Sequence, residues 1–378
     1  MKPEHSFLNK TTTNLALFGI AILTAVFLRL LFNCDTNDSN IGVFSKGYGK
    51  FKMKTLSDVI KTIGFSGSAI TLFALASGVF ASEDIADQYP QSALYEKPVE
   101  VIPGVFSAIG ATAPPTYENS GHNNNLSFIV TGEGVVVVNA GAADVLAKAL
   151  HDEIKAVTDE PVVLVINENG QGHANLGNGY WIDQGVKVIA HVDAAHEFEE
   201  LGFGELQRMQ RYNREKAGNS RVQPPSETFE DSFTLNIGRF VIDILYLGPA
   251  HSPGDISVWL PDESLVIAGD MAFHERMLPI FPETIVVDWI ETWDTEFEAL
   301  NATYVIPGHG HPTNMAQVRR YTRDYLIYLR QVVGELMDEG GELKDAYYVD
   351  QSRYKHLDTF EQLATRNAGR VYEQMEFE

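Results

Sequence analysis

The chain has 378 residues, of which 28 are basic and 51 are acidic, so its net charge is −23. Such an acidic protein is a poor partner for nucleic acid and for anionic membrane surfaces, and we expect a small molecule as its substrate. The single cysteine, Cys34, lies near the N terminus, so the rest of the chain can form no disulfide and offers no thiolate to a metal. The oligomeric state is left open.

Two apolar segments come first along the chain. Residues 15–32 are just long enough to span a bilayer, and residues 1–52 are interpreted as an upstream extension or a membrane anchor. Residues 53–81 begin with basic side chains, continue with a short apolar core and end with small residues, which is the pattern of a secretory signal peptide. We therefore expect export to the periplasm or the medium, with membrane attachment only if the N-terminal segment stays uncleaved.

The remaining chain divides into three parts. Residues 82–99 are polar and aperiodic and are predicted to be a linker, 100–313 the main domain, and 314–378 a helical extension packed on it. The main domain has two strand-rich halves interleaved with helices, which is typical of a layered α/β protein. Strands are predicted at 126–131, 134–139, 162–166, 186–190, 233–235, 240–246, 256–260, 264–268 and 303–306, and helices at 142–157, 194–216 and 313–338.

Three residues that can bind a metal follow predicted strands. They are His251, Asp270 and His309, and each lies within two residues of a glycine or proline, where the backbone is expected to turn. Imidazole and carboxylate together are the ligands of zinc and iron sites. No nucleophile elbow, phosphate-binding loop or dinucleotide fingerprint competes with this pattern.

The order and spacing of these segments closely resemble the later metal motifs of the metallo-β-lactamase superfamily. The resemblance covers roughly residues 101–313 and implies a four-layered αββα sandwich with a helical C-terminal appendage. In active relatives, the strand equivalent to 162–166 ends in a His-x-His-x-Asp-His cluster. Here the four positions carry Asn169, Gln171, His173 and Ala174, so this first motif is altered at every ligand.

The resemblance implies a relocated metal site. Asn169 and Gln171 carry neutral amides, which hold zinc poorly, so the first site of a dinuclear centre would keep only His251. His173, His251, Asp270 and His309 could together bind one zinc or iron ion. The alternative is that the metal is lost and these residues are hydrogen-bonded remnants in a metal-free cleft.

Neighbouring residues complete the predicted site. Glu168 is predicted as a general base if it points inward, and Asp270 is assigned a catalytic role besides that of ligand. Predicted substrate contacts are Asn169, Gln171, His274 and Arg276, since a guanidinium suits a carboxylate or phosphate. His191 is predicted to be structural, and His122 to lie in a solvent-exposed loop.

The resemblance implies an exported hydrolase in which metal-activated water attacks an ester, lactone, lactam or similar bond. The alternative function belongs to another class: a metal-free pseudoenzyme that serves as a periplasmic binding module. Stoichiometric metal in the purified protein separates the two.

Overall fold

The computed structural model describes residues 89–378. The predicted anchor, the signal-peptide-like segment and the first part of the predicted linker lie outside the described residues. The last part of that linker, residues 89–98, lies against the domain, where Leu94 and Tyr95 are buried. Between residues 89 and 378, no helix combines the length and the apolar character needed to cross a membrane.

Two β-sheets form the centre of the domain. The first sheet contains β1 (Val99–Ile102), β2 (Val105–Ala108), β3 (Leu126–Val130), β4 (Val135–Val138), β5 (Val162–Ile166), β6 (Lys187–His191) and β7 (Glu227–Phe229). The second contains β8 (Phe233–Ile237), β9 (Phe240–Leu245), β10 (Ser257–Leu260), β11 (Leu265–Phe273) and β12 (Tyr304–His309). The first sheet keeps the chain order, and the order in the second is β12-β11-β10-β9-β8.

Strand pairing in the first sheet changes from antiparallel to parallel at β4. Strands β1 to β4 pair antiparallel, and the predicted hairpin at Gly132-Glu133 is confirmed by the pairing of β3 with β4. Strands β4 to β7 pair parallel, because helices connect them. In the second sheet, β11 and β12 are the parallel pair. Parallel strands β4, β5 and β6 therefore end at one edge, and the altered motif follows β5 there.

Helices cover the outer face of each sheet. They are α1 (Asp144–Val157), α2 (Gly172–Asn175), α3 (Asn178–Asp183), α4 (Val192–Asn213), α5 (Val286–Thr292), α6 (Met315–Tyr321), α7 (Arg323–Asp338), α8 (Leu343–Ala346) and α9 (Phe360–Met375). A π-helical turn, Trp293–Phe297, follows α5. The layers are therefore helix, sheet, sheet and helix, and the predicted αββα sandwich with a helical C-terminal region is confirmed.

The core is divided by the sheets. Strand β4 is four valines, all buried, and alternation along the strand sends them to opposite faces. Val135 and Val137 pack beneath α1, against Leu146 and Leu150, whereas Val136 and Val138 face the second sheet. A strand buried on both faces needs apolar residues at every position, which explains the uninterrupted valine run.

One predicted helix is wrong. The amphipathic pattern predicted a single helix over 313–338, but the structure has α6 and α7 separated at Thr322. The Thr322 hydroxyl accepts a hydrogen bond from the backbone N–H of Phe273 at 2.9 Å, and its backbone ψ of −82° interrupts the helix. This contact completes the end of β11, so a tertiary hydrogen bond outweighs helical periodicity. Strands β1, β2 and β7 and helix α5 were not predicted.

Candidate metal centre

The predicted ligands come from four loops or strand ends. His173 lies on α2, which follows β5, and His251 lies in the connection between β9 and β10. Asp270 is within β11, and His309 ends the neighbouring strand β12. All four side chains are buried or nearly so.

Three asparagines fix the loop between β5 and α3. Asn167 Nδ2 donates to Asn175 Oδ1 at 2.6 Å and to Asn178 Oδ1 at 2.9 Å. Asn175 Nδ2 in turn donates to the backbone carbonyls of Asn169 and Gln171 at 2.6 and 2.9 Å. Buried amides with all of these partners hold the loop rigidly, which positions the residues that replace the family's first motif.

His173, Asp270 and His309 form one group, which we call the imidazole side. One ligand atom from each lies within 4.8 Å of the others. Asp270 Oδ1 is 3.2 Å from His309 Nε2, and Asp270 Oδ2 is 3.6 Å from His173 Nε2. Two imidazole nitrogens and a carboxylate at this spacing are a donor set that zinc or iron accepts.

Several buried atoms here lack hydrogen-bond partners among residues 89–378: His173 Nε2, Asp270 Oδ1 and both carboxylate oxygens of Glu168. Glu168 Oε1 lies 3.4 Å from His173 Nε2, so the orphaned atoms face one region. An unsatisfied buried polar group costs about 1–3 kcal/mol, and several together call for a cation. The residues present therefore fit a metal ion.

The tautomer of His309 also fits a bound metal ion. Its Nδ1 donates to the backbone carbonyl of Asn123, which leaves Nε2 as a bare lone pair facing Asp270. Fixing one ring nitrogen through a carbonyl is how proteins orient a metal-binding histidine. Burial, together with the guanidinium of Arg276 whose Nη1 is 3.2 Å from Nδ1, lowers the pKa of His309 to about 4. The ring is therefore neutral at pH 7, the form that binds metal.

The pKa values of the two carboxyl groups in the centre shift in opposite directions. Burial opposes ionisation of Asp270, but the facing rings of His309 and His173 hold its pKa below the usual range. Burial instead raises the pKa of Glu168, and the neighbouring charge of Asp270 adds to this effect. For His173, burial acts to lower the pKa, but Asp270 and Glu168 outweigh it and the pKa is raised. Without a metal ion, a protonated His173 would balance the negative charge.

His251, Asn169 and Gln171 form the opposite group, which we call the amide side. Gln171 Nε2 donates to His251 Nδ1 at 2.9 Å, and Asn169 Nδ2 donates to Asp270 Oδ2 at 3.2 Å. Burial lowers the pKa of His251 to about 4, so this ring too is neutral at pH 7. His251 Nδ1 is 3.5 Å from Asp270 Oδ2 and is already satisfied by an amide. The predicted four-ligand set is thus divided, with His251 on the amide side.

Two glycines make room for the carboxylates. At Gly269, whose φ is +60°, a Cβ atom would lie 2.0 Å from Glu168 Oε2. At Gly308 a Cβ atom would lie 2.3 Å from Asp270 Oδ1. Any larger residue would displace a buried carboxylate, which explains why glycine adjoins Asp270 and His309 in the sequence.

The other predicted residues lie in different places. Arg276 is buried beside His309. Arg276 and Gln171 both line the cleft above the centre. Asn169 is fully buried and is not among the residues that line the cleft. His274 is not among the residues that line the cleft, and its Nδ1 contacts the backbone carbonyl of His311 at 2.9 Å. Its position therefore does not support the predicted substrate contact.

Two further histidines are structural. His191 Nδ1 accepts a hydrogen bond from the backbone N–H of Asp193 at the start of α4, as predicted for a structural residue. The prediction that His122 is solvent-exposed is wrong. It is fully buried, and its Nδ1 accepts from the backbone N–H of Tyr95 at 2.8 Å. This contact joins the predicted linker to the domain.

The centre opens into a cleft of about 920 Å³. His173 and His309 lie on its floor beside Arg276. Helix α4 supplies one part of the wall, and α9, from the C-terminal extension, supplies another through Gln362 and Arg366. The sequence pattern indicated that the extension packs on the domain, but it gave no signal that the extension reaches the cleft.

Comparisons with known proteins agree with this fold. A family model described as the metallo-beta-lactamase superfamily matches residues 175–309, a range that starts just after the altered cluster. The metallo-beta-lactamase type 2 of Bacteroides fragilis is 26% identical over 193 residues, which is 48% of this chain and 70% of that protein. A probable metallo-hydrolase of Bacillus subtilis, YqgX, is 28% identical over 170 residues, which is 43% of this chain and 63% of the relative.

A solved structure aligns with a larger share of this chain. The stereoselective inverting sec-alkylsulfatase Pisa1 of a Pseudomonas species aligns with a TM-score of 0.58 and 18% identity. The alignment covers 75% of this chain and 52% of the sulfatase chain. At this identity the likeness concerns the fold.

Proposed function

Because this chain belongs to the metallo-β-lactamase superfamily, we propose that it is a single-metal hydrolase acting on an ester, lactone, lactam or similar bond of a small molecule. The observation that carries the proposal is the group of orphaned buried atoms on the imidazole side, at the floor of the cleft. A zinc or iron ion bound there would act as a Lewis acid and supply an activated water.

The residues of the imidazole side have distinct roles in this proposal. His173, Asp270 and His309 would hold the ion, and the carbonyl of Asn123 fixes the ring of His309 with Nε2 toward the centre. Glu168 Oε1 faces the same region, 3.4 Å from His173 Nε2, and burial raises the pKa of this carboxyl. A carboxyl group in this position could take a proton from a bound water, the general-base role predicted for it.

Substrate would be oriented from the cleft wall. Gln171 and Arg276 line the cleft beside His173 and His309. A buried guanidinium strengthens its interactions with carboxylate or with developing negative charge, because water does not screen it. Arg276 is therefore proposed to bind the polar end of the bond that is cleaved.

One observation favours the alternative, a metal-free binding module. Amide N–H groups reach His251 Nδ1 and Asp270 Oδ2 on the amide side, and a protonated His173 next to Asp270 would partly neutralise the imidazole side without an ion. The remaining orphaned oxygens of Glu168 argue against it. Metal content decides between the two.

The test is elemental analysis of protein purified without chelator, followed by assays on nitrophenyl esters and simple lactones. We expect about one zinc or iron ion per chain, with hydrolysis that is lost on chelation and restored by metal. A ratio near two would contradict the assignment of the amide side. A ratio near zero that added metal does not change would support the binding module.

A further inference from the structure

The outer part of the cleft is built by helices that approach from different parts of the chain. Helix α4 contributes Leu201, Arg208 and Arg211, and α9 contributes Leu363 and Arg366. Helix α9 lies beyond residues 175–309, the range matched by the family model. Part of the mouth of the cleft is therefore built by the C-terminal extension, outside the matched range.

Two of the arginines at this mouth have no acidic partner within residues 89–378. Arg208 contacts the carboxylate of Glu205. Arg211 and Arg366 are exposed, and no carboxylate of residues 89–378 makes an ion pair with either. Arg323 on α7, by contrast, pairs with Asp294 at 2.7 Å, whereas Arg320 on α6 contacts Gln317 and makes no ion pair with a carboxylate of residues 89–378. In a chain with 51 acidic residues, two unpaired guanidinium groups at one opening suggest a ligand.

The acidic residues of the wall do not cancel this charge. Glu205 is paired with Arg208, and burial raises the pKa of Glu197 to about 7, so that its charge is reduced near neutral pH. Glu283 is the remaining acidic residue of the lining. Arg211 and Arg366 therefore leave an excess of positive charge at the mouth.

Apolar side chains also line the cleft. Leu176, Leu201, Phe281 and Leu363 share the lining with the polar residues of the floor and the mouth. Such a surface favours a ligand that has an apolar portion.

We propose that the cleft takes an amphiphilic organic anion, in which an apolar portion separates an oxyanion group at Arg211 and Arg366 from the bond cleaved at the floor. This substrate class rests on the proposed function. A carboxylate and a sulfate or sulfonate share the required chemistry, because a guanidinium binds either through charge-assisted hydrogen bonds. The C-terminal helix α9 is then a specificity element of the enzyme.

The test uses three stable probes with one acyl chain: N-octanoyl-β-alanine, N-octanoyltaurine and the neutral N-octanoyl-β-alaninamide. Calorimetric titration of the purified, metal-containing protein should show each anion binding about tenfold more tightly than the neutral amide, the size expected of two exposed ion pairs. The preference should shrink at high salt because of screening. The two anions distinguish a carboxylate site from a sulfonate site.

Arg211→Ala combined with Arg366→Ala should abolish the preference for the anions while binding of the neutral probe is unchanged. Both positions are exposed helix sites, where alanine is the best helix former. The matched control is Arg320→Ala, an exposed arginine on α6 that is not among the cleft-lining residues and should keep the preference. Equal affinity for charged and neutral probes, or a preference that survives in the double variant, overturns the inference.

The inference and the proposed function fail differently. If the anions are preferred but neither nitrophenyl octanoate nor its anionic analogue with a free carboxylate at the end of the acyl chain is hydrolysed, the anion site stands and the hydrolase proposal fails. If the neutral and the anionic esters are hydrolysed equally well, the hydrolase stands and the anion site fails.

Discussion

The two sides of the Asp270 carboxylate are close in space but differ in their hydrogen-bond donors and acceptors. On the amide side, Asn169 and Gln171 donate hydrogen bonds to Asp270 Oδ2 and His251 Nδ1, so donors meet acceptors. On the imidazole side, Nε2 of His173 and Nε2 of His309 face the oxygens of Asp270 at 3.6 and 3.2 Å, and His173 Nε2 and Asp270 Oδ1 have no hydrogen-bond partner among residues 89–378.

This difference shows how a ligand substitution changes a site. The amides of Asn169 and Gln171 supply N–H donors to Asp270 Oδ2 and His251 Nδ1, although His251 Nε2 lacks a partner among residues 89–378. On the imidazole side, His309 presents the lone pair of Nε2 to a carboxylate, and a metal ion satisfies both groups without protonating that buried ring. Four predictions break or sharpen this contrast.

The largest expected effect is on metal binding. His173→Ala and His309→Ala should each lower metal affinity at least a hundredfold, since even an outer partner of a ligand contributes about 10–100-fold. Elemental analysis after dialysis measures the loss. The control is His196→Ala, an exposed histidine on α4, which should keep its metal. If the His173→Ala protein retains its ion, the site is built around His309 and Asp270 with another partner, most plausibly Glu168.

The second prediction converts the amide side. Asn169→His, Gln171→His, His173→Asp and Ala174→His together rebuild the family's first motif, and the variant should bind a second zinc and gain weak lactamase or lactonase activity. Metal stoichiometry is the measurement. The paired control, Asn169→Ala with Gln171→Ala, removes the same hydrogen bonds without adding ligands and should stay near one ion per chain.

The third prediction concerns His122, a buried histidine that belongs neither to the amide side nor to the imidazole side. Burial lowers the pKa of His122 to about 3 from its usual 6.5, so the unfolded chain binds a proton more readily. Its contribution to stability is therefore complete above pH 6.5 and is lost as the pH falls toward 3. When the pH falls from 7 to 5, the free energy of unfolding should decrease by about 2 kcal/mol because of this residue.

His122→Asn removes this titration and keeps an acceptor for the Tyr95 N–H. Urea unfolding at the two pH values measures the difference between wild type and variant. An identical loss in both proteins would contradict the assignment, because other titrating groups would then account for it.

The smallest effect is on the amide side itself. Gln171→Met keeps the side-chain size but leaves His251 Nδ1 without its donor, which should cost about 1–3 kcal/mol of unfolding free energy. Metal content should not change. A variant that loses its ion would place Gln171 among the groups that support the metal, contrary to the division of the site.

Much of the fold could be predicted from the sequence because its signals are local. Alternating valines, the Gly132-Glu133 turn and the apolar periodicity of α1 depend on near neighbours, and the hairpin and the helix lie where the pattern places them. The boundaries of β11 could not be predicted, since Gly269 interrupts the apolar run and the strand nevertheless continues to Phe273 through pairing with β12.

By itself, the sequence determined which residue types stand near the strand ends, and therefore that three imidazoles and two carboxyl groups were available where the resembled first motif is altered. Only the tertiary structure decided how they are grouped. His251 is paired with Gln171, Glu168 lies against His173, and α9 reaches the cleft from beyond the matched range. The physical reason is distance along the chain: these contacts join residues far apart in sequence, and no local pattern encodes which polar atom remains unpaired once the sheets have packed.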